Sequence, residues 1–405
     1  MGRDPGRPVG TGRFGTTVFT ELTALAERTG AINLGQGFPD EDGPDAVLRT
    51  ACAALVSGEN QYPPLGGLPG LRAAVARQRR RRYGLGYDPD TEILVTTGAT
   101  EAITAAVLAL CGPGDEVIVI DPAYDAYVAA VTLAGGRCRR VPLRRDGDTG
   151  FVLDPDELQR TVTPRTRLLI LNTPHNPTGK VFDRAELSGI ADFCVRNDLI
   201  AVVDEVYEYL TYGGAGHLPP AVLPGMRERT LSVSSAGKTF NVTGWKVGWC
   251  CGPSDLVAAV RSVKQYLTFA SAAPLQRAVA EALDTQEDWV TRWRDDLRGR
   301  RDLLAEGLTD AGLPVVTPEG GYFLQADVAH LTRQDAVRFC RALPAAAGVV
   351  ALPTTAFCEE PGAYRSLVRF AFCKRWNVLS EAVTRMGRLR HRPSRPVPSQ
   401  HLERT

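Results

Sequence analysis

The sequence predicts an α/β protein, with a mostly parallel seven-stranded central sheet covered by helices on both faces and a smaller α+β unit after it. Three observations predict this. Short β-branched runs alternate with helical patterns from about residue 92 to residue 252, as repeated strand–helix–strand units do. Those runs are almost continuously apolar, which suits strands buried on both faces. Beyond Gly252 the pattern changes to long helices with two further strand-like runs, at residues 322–326 and 367–372.

Seven sheet strands are expected at residues 93–96, 116–120, 138–141, 168–171, 200–203, 230–233 and 247–251. A helix beginning near Leu68 ends in the basic run Arg77, Arg79, Arg80, Arg81 and Arg82. Cations there complement the C-terminal dipole, so a solvated helix end is preferred to a polyanion contact. The segment Thr96-Thr97-Gly98-Ala99-Thr100-Glu101 ends one strand and opens an amphipathic helix through Leu110. Unpaired N–H groups at such a junction make a phosphate seat, although a plain glycine turn with a threonine cap reads the same way. Trp289, Trp293, Leu297, Leu304 and Leu308 fall on one helical stripe and are read as core or domain-interface packing. Gly10, Gly12 and Gly15 match a dinucleotide-binding glycine pattern but follow no strand, so the match is treated as chance.

Composition excludes several functions. Lys and Arg total 47 against 46 Asp and Glu, a formal charge of +1, so no broad field favours nucleic acid or an anionic membrane. The nine cysteines are odd in number, scattered and without a C-x-x-C pair, which points to reduced, buried thiols. The five histidines lack metal-ligand spacing, and no metal site is expected. The first dozen residues lack an apolar signal core, and no run is long enough to span a bilayer, so a cytoplasmic location is expected.

Chemistry concentrates in three motifs that follow expected strands: Asn172-Thr173-Pro174-His175-Asn176-Pro177-Thr178-Gly179, then Asp204-Glu205-Val206-Tyr207, then Ser234-Ser235-Ala236-Gly237-Lys238 with Lys246 beyond it. Ligands bind beyond the carboxyl ends of strands in such sheets. The motifs supply an amine, an acid, an amide, a phenol, and hydroxyl and ammonium groups. That set can form a Schiff base, pair with a pyridine nitrogen, donate to a ring oxygen and hold a phosphate, so together they read as a pyridoxal 5'-phosphate site. Singly each has an ordinary alternative. Lys238 could be a surface loop lysine, Asp204 a helix cap, Asn176 a turn former, and Arg369, in its apolar run, half of a structural salt bridge.

With Leu34-Gly35-Gln36-Gly37-Phe38-Pro39, Asn60-Gln61-Tyr62 and Arg369-Phe370-Ala371-Phe372-Cys373-Lys374 added, the chain resembles the fold type I pyridoxal phosphate aminotransferases. The branch is that of kynurenine, methionine and N-succinyldiaminopimelate aminotransferases, and the resemblance covers Phe14 to about Leu389. It implies a flexible leader (1–13), an N-terminal arm of the small domain (14–43), a large cofactor-binding domain (44–291), a C-terminal small domain (292–390) and a disordered tail (391–405). It also implies that Lys238 bonds the cofactor and carries the substrate α-proton, with Asp204 on the pyridine nitrogen, Asn176 and Tyr207 on the ring oxygen and Tyr124 stacked on the ring. Tyr127 is read as packing. Gly98, Ala99, Thr100, Ser235 and Lys246 take the phosphate, Tyr62 reaches the phosphate of a neighbouring subunit in a homodimer, and Arg369 with Gly35 clamps the substrate carboxylate. Transamination between an amino acid and a 2-oxo acid is the implied reaction, N-succinyl-LL-2,6-diaminopimelate the foremost substrate, and 2-oxoglutarate and glutamate one pair. A kynurenine-, methionine- or glutamine-type transaminase, a cysteine-conjugate β-lyase and, in another class, a non-catalytic regulator are the alternatives. For the substrate side chain, Phe14, Thr16, Tyr266 and Phe269 are candidates, with Arg13 and Lys264 as contributors for a distal carboxylate.

Overall fold

The computed structural model describes residues 18–147, 150–329, 335–359 and 361–391. Its largest sheet contains all seven expected strands: β1 (Ile93–Thr97), β2 (Glu116–Asp121), β3 (Arg137–Asp146), β5 (Thr166–Asn172), β6 (Ile200–Asp204), β7 (Thr230–Ser235) and β8 (Val247–Cys251). An eighth, β4 (Gly150–Leu153), lies at one edge. The order is β1-β8-β7-β6-β5-β2-β3-β4. The run from β7 to β3 is parallel, while β8 is antiparallel to both its neighbours and β4 returns antiparallel on β3. Sequence reasoning missed β4 because its apolar run, Phe151 to Leu153, is only three residues long, and it pairs with the half-exposed end of β3 that carries Arg144 and Arg145.

The continuous hydrophobicity of the central strands has a direct cause. Val117, Val119, Leu168, Ile170 and Val202 enter one core, whereas the intervening Ile118, Ile120, Leu169, Leu171, Ala201 and Val203 enter another on the opposite face. Period-two alternation places each neighbour on the other side, and both sides are covered.

A second, antiparallel sheet joins Val315–Val316, Phe323–Asp327, Leu367–Ala371 and Leu352–Pro353, in that order. Near the chain start, Ile32–Asn33 pairs in parallel with Val349–Val350. Trp289 and Trp293 stack at 5.9 Å, and Trp289 packs against the core around the second sheet and against that beneath β1 and β8. Trp293, Leu297, Leu304 and Leu308 lie in the first of these cores, the packing role expected of the stripe. All nine cysteines are free; Cys52 is exposed, Cys138 and Cys358 are half-buried, and the other six are buried, so burial is less general than expected. Among the described residues no helix is long and apolar enough to cross a membrane, and no three His, Cys, Asp or Glu side chains are arranged to hold a metal ion.

The basic helix end is not uniformly solvated. On the helix Pro69–Tyr83, Leu71, Ala74, Val75, Gln78 and Arg79 are buried, a spacing that puts Arg79 on the core stripe. Its guanidinium lies 2.7 Å from Glu205 and 3.5 Å from Glu208, with all three side chains out of solvent. The Ser234 hydroxyl, 2.6 Å away, and Tyr83 donate to Glu208 as well. Glu205 and Glu208 flank Val206 and Tyr207, so the ion cluster fixes the segment after β6 from behind.

Removing one member of a buried ion cluster leaves the others unpaired. Arg79→Met is expected to lower unfolding free energy by about 3–5 kcal/mol, measured by urea denaturation; a loss below about 1 kcal/mol would rule out this anchoring role.

Candidate active site

Three parallel strands end at one place. β5 ends at Asn172, β6 at Asp204 and β7 at Ser235, and beyond them opens a cavity of about 370 Å³. Gly98, Ala99, Thr100, Tyr124, Asn176, Asp204, Tyr207, Ser235, Lys238, Lys246 and Arg369, eleven of the sequence-predicted residues, line it.

Asp204 is the last residue of β6 and is almost wholly buried. One carboxylate oxygen accepts from the Tyr127 hydroxyl at 2.6 Å and the other from the Val206 amide at 3.2 Å. Burial still pushes its acid up to about 6, with those two hydrogen bonds opposing. Among the described residues it makes no ion pair. Tyr127 therefore does more than pack: it sits three residues after Tyr124 on the helix Asp125–Leu133, and that helical spacing brings both rings to the cavity. Asn172, which sequence reasoning left without a role, donates to the Asp204 carbonyl at 2.9 Å and accepts from the Asn176 amide at 2.6 Å. It ties β5, β6 and the Asn176 loop together; the Asn176–Pro177 peptide is cis.

Lys238 lies in the short helix Ala236–Thr239 after β7. Burial is the main cause that brings its ammonium down to about 8; Cys373 and Asp204 oppose that shift, and Lys246 and Arg369 add to it. Its amine donates to the Tyr322 hydroxyl at 2.6 Å and to the Gly37 carbonyl at 3.2 Å. Tyr207 stands nearby, its ring edge-on to Tyr322 at 5.1 Å, and burial holds its phenol protonated well above the ordinary range.

Arg369, in the middle of Leu367–Ala371, is 4% exposed. It donates to Asn176 Oδ1 and to the Gly35 carbonyl, each at 2.8 Å. Phe323 and Phe357 flank the guanidinium, at 3.8 and 4.5 Å from their ring centres. Among the described residues no carboxylate stands within ion-pair distance, Nε has no hydrogen-bond partner, and burial brings the group down to about 10. The structural salt bridge held open as an alternative is therefore not the arrangement found. Gly35 contributes by orienting the arginine through its carbonyl, and Asn176 spends its oxygen on the same task, leaving its amide N–H groups for other partners.

At the remaining end of the cavity, the helix Gly98–Leu110 begins directly after β1. Gly98 is left-handed at φ 74°, and a Cβ there would lie 3.1 Å from Lys246 Nζ. A Cβ on Gly248 would stand 2.6 Å from the Gly98 carbonyl carbon, so glycine alone lets β8 press Lys246 against this helix start. Ser235 and the Thr100 side chain, which bonds Tyr124, complete the wall. A helix N-terminus, an ammonium and hydroxyls suit a phosphate; a buried carboxylate with no cation suits a pyridinium; a lysine of lowered pKa suits an aldehyde. The donor set thus fits a phosphorylated pyridine aldehyde, and the unpaired Arg369 adds a seat for a carboxylate.

Tyr62 and Tyr266 are 84% and 85% exposed and lie outside this cavity. Tyr62 instead meets Phe269 edge-on at 5.5 Å. Lys264 is a correction: it is fully buried, and its ammonium donates to the Phe269 carbonyl at 2.7 Å, so it does not reach the cavity. It pins the loop that holds Phe269 at φ 61°. Arg13, Phe14 and Thr16 lie outside the described residues.

Comparison with known proteins gives one consistent picture. Residues 29–385 match the family "Aminotransferase class I and II". The chain is 53% identical over 389 residues to a Mycobacterium tuberculosis protein named probable N-succinyldiaminopimelate aminotransferase DapC, covering 94% of this chain and 98% of the relative. It is 40% identical over 377 residues to the methionine aminotransferase of Escherichia coli, covering 93% and 97%. The solved structure of N-succinyldiaminopimelate aminotransferase from M. tuberculosis superposes with a TM-score of 0.93 over 95% of this chain and all (100%) of that one.

Two outcomes test the electrostatics. In ligand-free protein, competitive acetylation of the Lys238 amine is expected to rise with a midpoint near pH 8; a midpoint at an ordinary lysine value, about 10.4, would refute the burial effect. Asp204 has its folded pKa raised from 3.8 to about 6, so its cost to the fold is absent below the unfolded value and complete above the folded one. Asp204→Asn is accordingly expected to stabilise the ligand-free fold by about 1–3 kcal/mol above pH 6, with the gain vanishing below pH 4, as followed by thermal denaturation.

Proposed function

Because this chain belongs to the class I and II aminotransferases, we propose that its cavity takes pyridoxal 5'-phosphate and moves an amino group between an L-amino acid and a 2-oxo acid by way of Lys238. The observation that carries this reading is the pair of buried opposite charges, Asp204 and Arg369, lining one cavity without ion-pair partners among the described residues, beside a lysine that burial brings down to about 8. When bound, pyridoxal phosphate supplies an aldehyde carbon for an amine and a protonated ring that draws electrons from the substrate α-carbon.

The chain's own groups do the rest. Asp204, whose ionised form Tyr127 and the Val206 amide support, would pair with the pyridine nitrogen and keep it protonated. Asn176, whose oxygen is taken by Arg369, and Tyr207, through a phenol that burial keeps protonated, would donate to the ring oxygen, and Tyr124 would stack on the ring. Gly98, Ala99 and Thr100 present the helix start to the phosphate, with Ser235 and Lys246. Lys238 would hold the aldehyde carbon, and its amine, once free, would take the substrate α-proton and return it. A lysine near pH 8 carries enough neutral amine for this work. Arg369, oriented by Gly35 and Asn176, holds the substrate carboxylate, which fixes the Cα–H bond relative to the ring.

One relative's name supports N-succinyldiaminopimelate as the amino donor, which we read as the LL-2,6 form; we read 2-oxoglutarate and glutamate as the second pair, in keeping with the oxoglutarate in the names of the kynurenine transaminases. Methionine and kynurenine are the competing substrates, from the names of other relatives. Residues 44–291 are read as the cofactor domain, and residues 14–43 with 292–390 as the small domain; the pairing of Ile32–Asn33 with Val349–Val350 supports that join. We read the protein as a homodimer in which the exposed Tyr62 completes the partner's phosphate site, and as cytoplasmic, in keeping with its nine free thiols.

A half-reaction screen decides the activity. Holoenzyme mixed with single amino acids is expected to lose the aldehyde-form absorbance and gain the amine-form absorbance, most rapidly with N-succinyl-LL-2,6-diaminopimelate; inertness towards every amino acid would end the reading. Pyruvate and ammonia from cysteine conjugates would favour the β-lyase instead. Lys238→Ala is expected to abolish turnover, and Arg369→Ala to raise KM for the amino acid by about 30-fold or more.

A further inference from the structure

The resting position of the Lys238 amine is built by groups to which the mechanism above gives no part. The amine donates to the Tyr322 hydroxyl at 2.6 Å and to the Gly37 carbonyl at 3.2 Å. The Tyr322 hydroxyl in turn donates to that same carbonyl at 2.6 Å. Its proton is therefore engaged, and its oxygen offers a lone pair to the lysine. Tyr322 is 1% exposed. Burial, with Tyr207 and Cys373 nearby, holds its phenol well above the ordinary value, so it is neither an acid nor a base in this range. Its ring is wedged edge-on against Tyr207 at 5.1 Å and Phe323 at 5.0 Å. Gly37 is pressed equally close: a Cβ there would stand 2.2 Å from Phe323 Cζ and 3.3 Å from Tyr322 Cε2. Neither acceptor can move far.

We propose that Tyr322 is a positioning residue for proton transfer, forming with the Gly37 carbonyl a two-acceptor cradle that grips the freed Lys238 amine by its N–H bonds and turns its lone pair towards the substrate. This rests on the reading of Lys238 as the proton carrier. A neutral primary amine has two N–H bonds and one lone pair. When acceptors on one wall take both N–H bonds, the lone pair faces away from that wall, into the cavity. An unheld lysine would instead spread over the rotamers of a four-carbon stem. Taking the α-proton converts the amine to an ammonium, and its bonds to the two oxygens strengthen because the donor is now charged. Giving the proton back restores the amine, so protons balance and Tyr322 keeps its own.

Tyr322→Phe keeps the ring and removes the acceptor. In holoenzyme it is expected to lower kcat by about 10- to 100-fold with little change in KM, and to enlarge the isotope effect seen with substrate deuterated at the α-carbon, because proton transfer becomes slower than the other steps. In ligand-free protein the Lys238 amine is expected to acetylate faster than in the wild type. Unchanged kcat and isotope effect in a folded variant, with a wild type that passes the half-reaction, would overturn the cradle alone; a wild type that fails the half-reaction overturns the reading of Lys238 itself. A second measurement does not depend on the variant. In a crystal structure of the wild type with pyridoxamine phosphate, the amine hydrogen-bonded to both oxygens supports the proposal, and the amine elsewhere refutes it.

Discussion

A carboxylate and a guanidinium are held out of water around one cavity, and neither has an ion-pair partner among the described residues. Such burial is costly, and much of the surrounding structure exists to bear that cost. Tyr127 and the Val206 amide support Asp204. Asn176, the Gly35 carbonyl and two aromatic rings support Arg369. Behind them, Arg79 compensates Glu205 and Glu208, so the segment carrying Asp204 and Tyr207 is gripped from the side away from the cavity as well. The charges the protein leaves unpaired are the ones a zwitterionic substrate and a charged cofactor would complete.

The sheet makes this arrangement possible. Because β5, β6 and β7 run in parallel and end together, the residues following them converge although they lie tens of positions apart in the chain. β8 runs the other way and delivers Lys246 at its start to the same end. The second sheet closes the cavity from outside, bringing Arg369 on one strand and Tyr322 just before another. Under the proposed function, the groups for the cofactor would lie at rigid strand ends and the carboxylate clamp on a separate sheet, dividing binding from selection in space.

Much of this was legible in the chain. The seven strands announced themselves because two-sided burial demands unbroken apolar runs, and the residues that line the cavity because an amide, an acid, a phenol and an amine follow those runs in that order. The edge strand Gly150–Leu153 was not legible, since its apolar run is only three residues long and it pairs with the arginine-rich, half-exposed end of β3. Arg79 was misread as solvated although its spacing from Leu71 and Val75 marked it as inward-facing. Lys264 was misplaced for the converse reason: its charge suggested a ligand, whereas its ammonium satisfies a loop carbonyl in the interior.

What the sequence by itself determined was chemistry and order: which functional groups are present, that they follow strands, and that the strands are buried on both faces, because periodicity and local motif are properties of neighbouring residues. Only the tertiary structure decided partners and protonation. That Tyr127 reaches Asp204, that Arg369 donates to Asn176 and that Lys238 rests on Tyr322 are contacts between residues 77, 193 and 84 positions apart. Hydrogen bonds and desolvation depend on distance in space, and no local pattern in the chain encodes them.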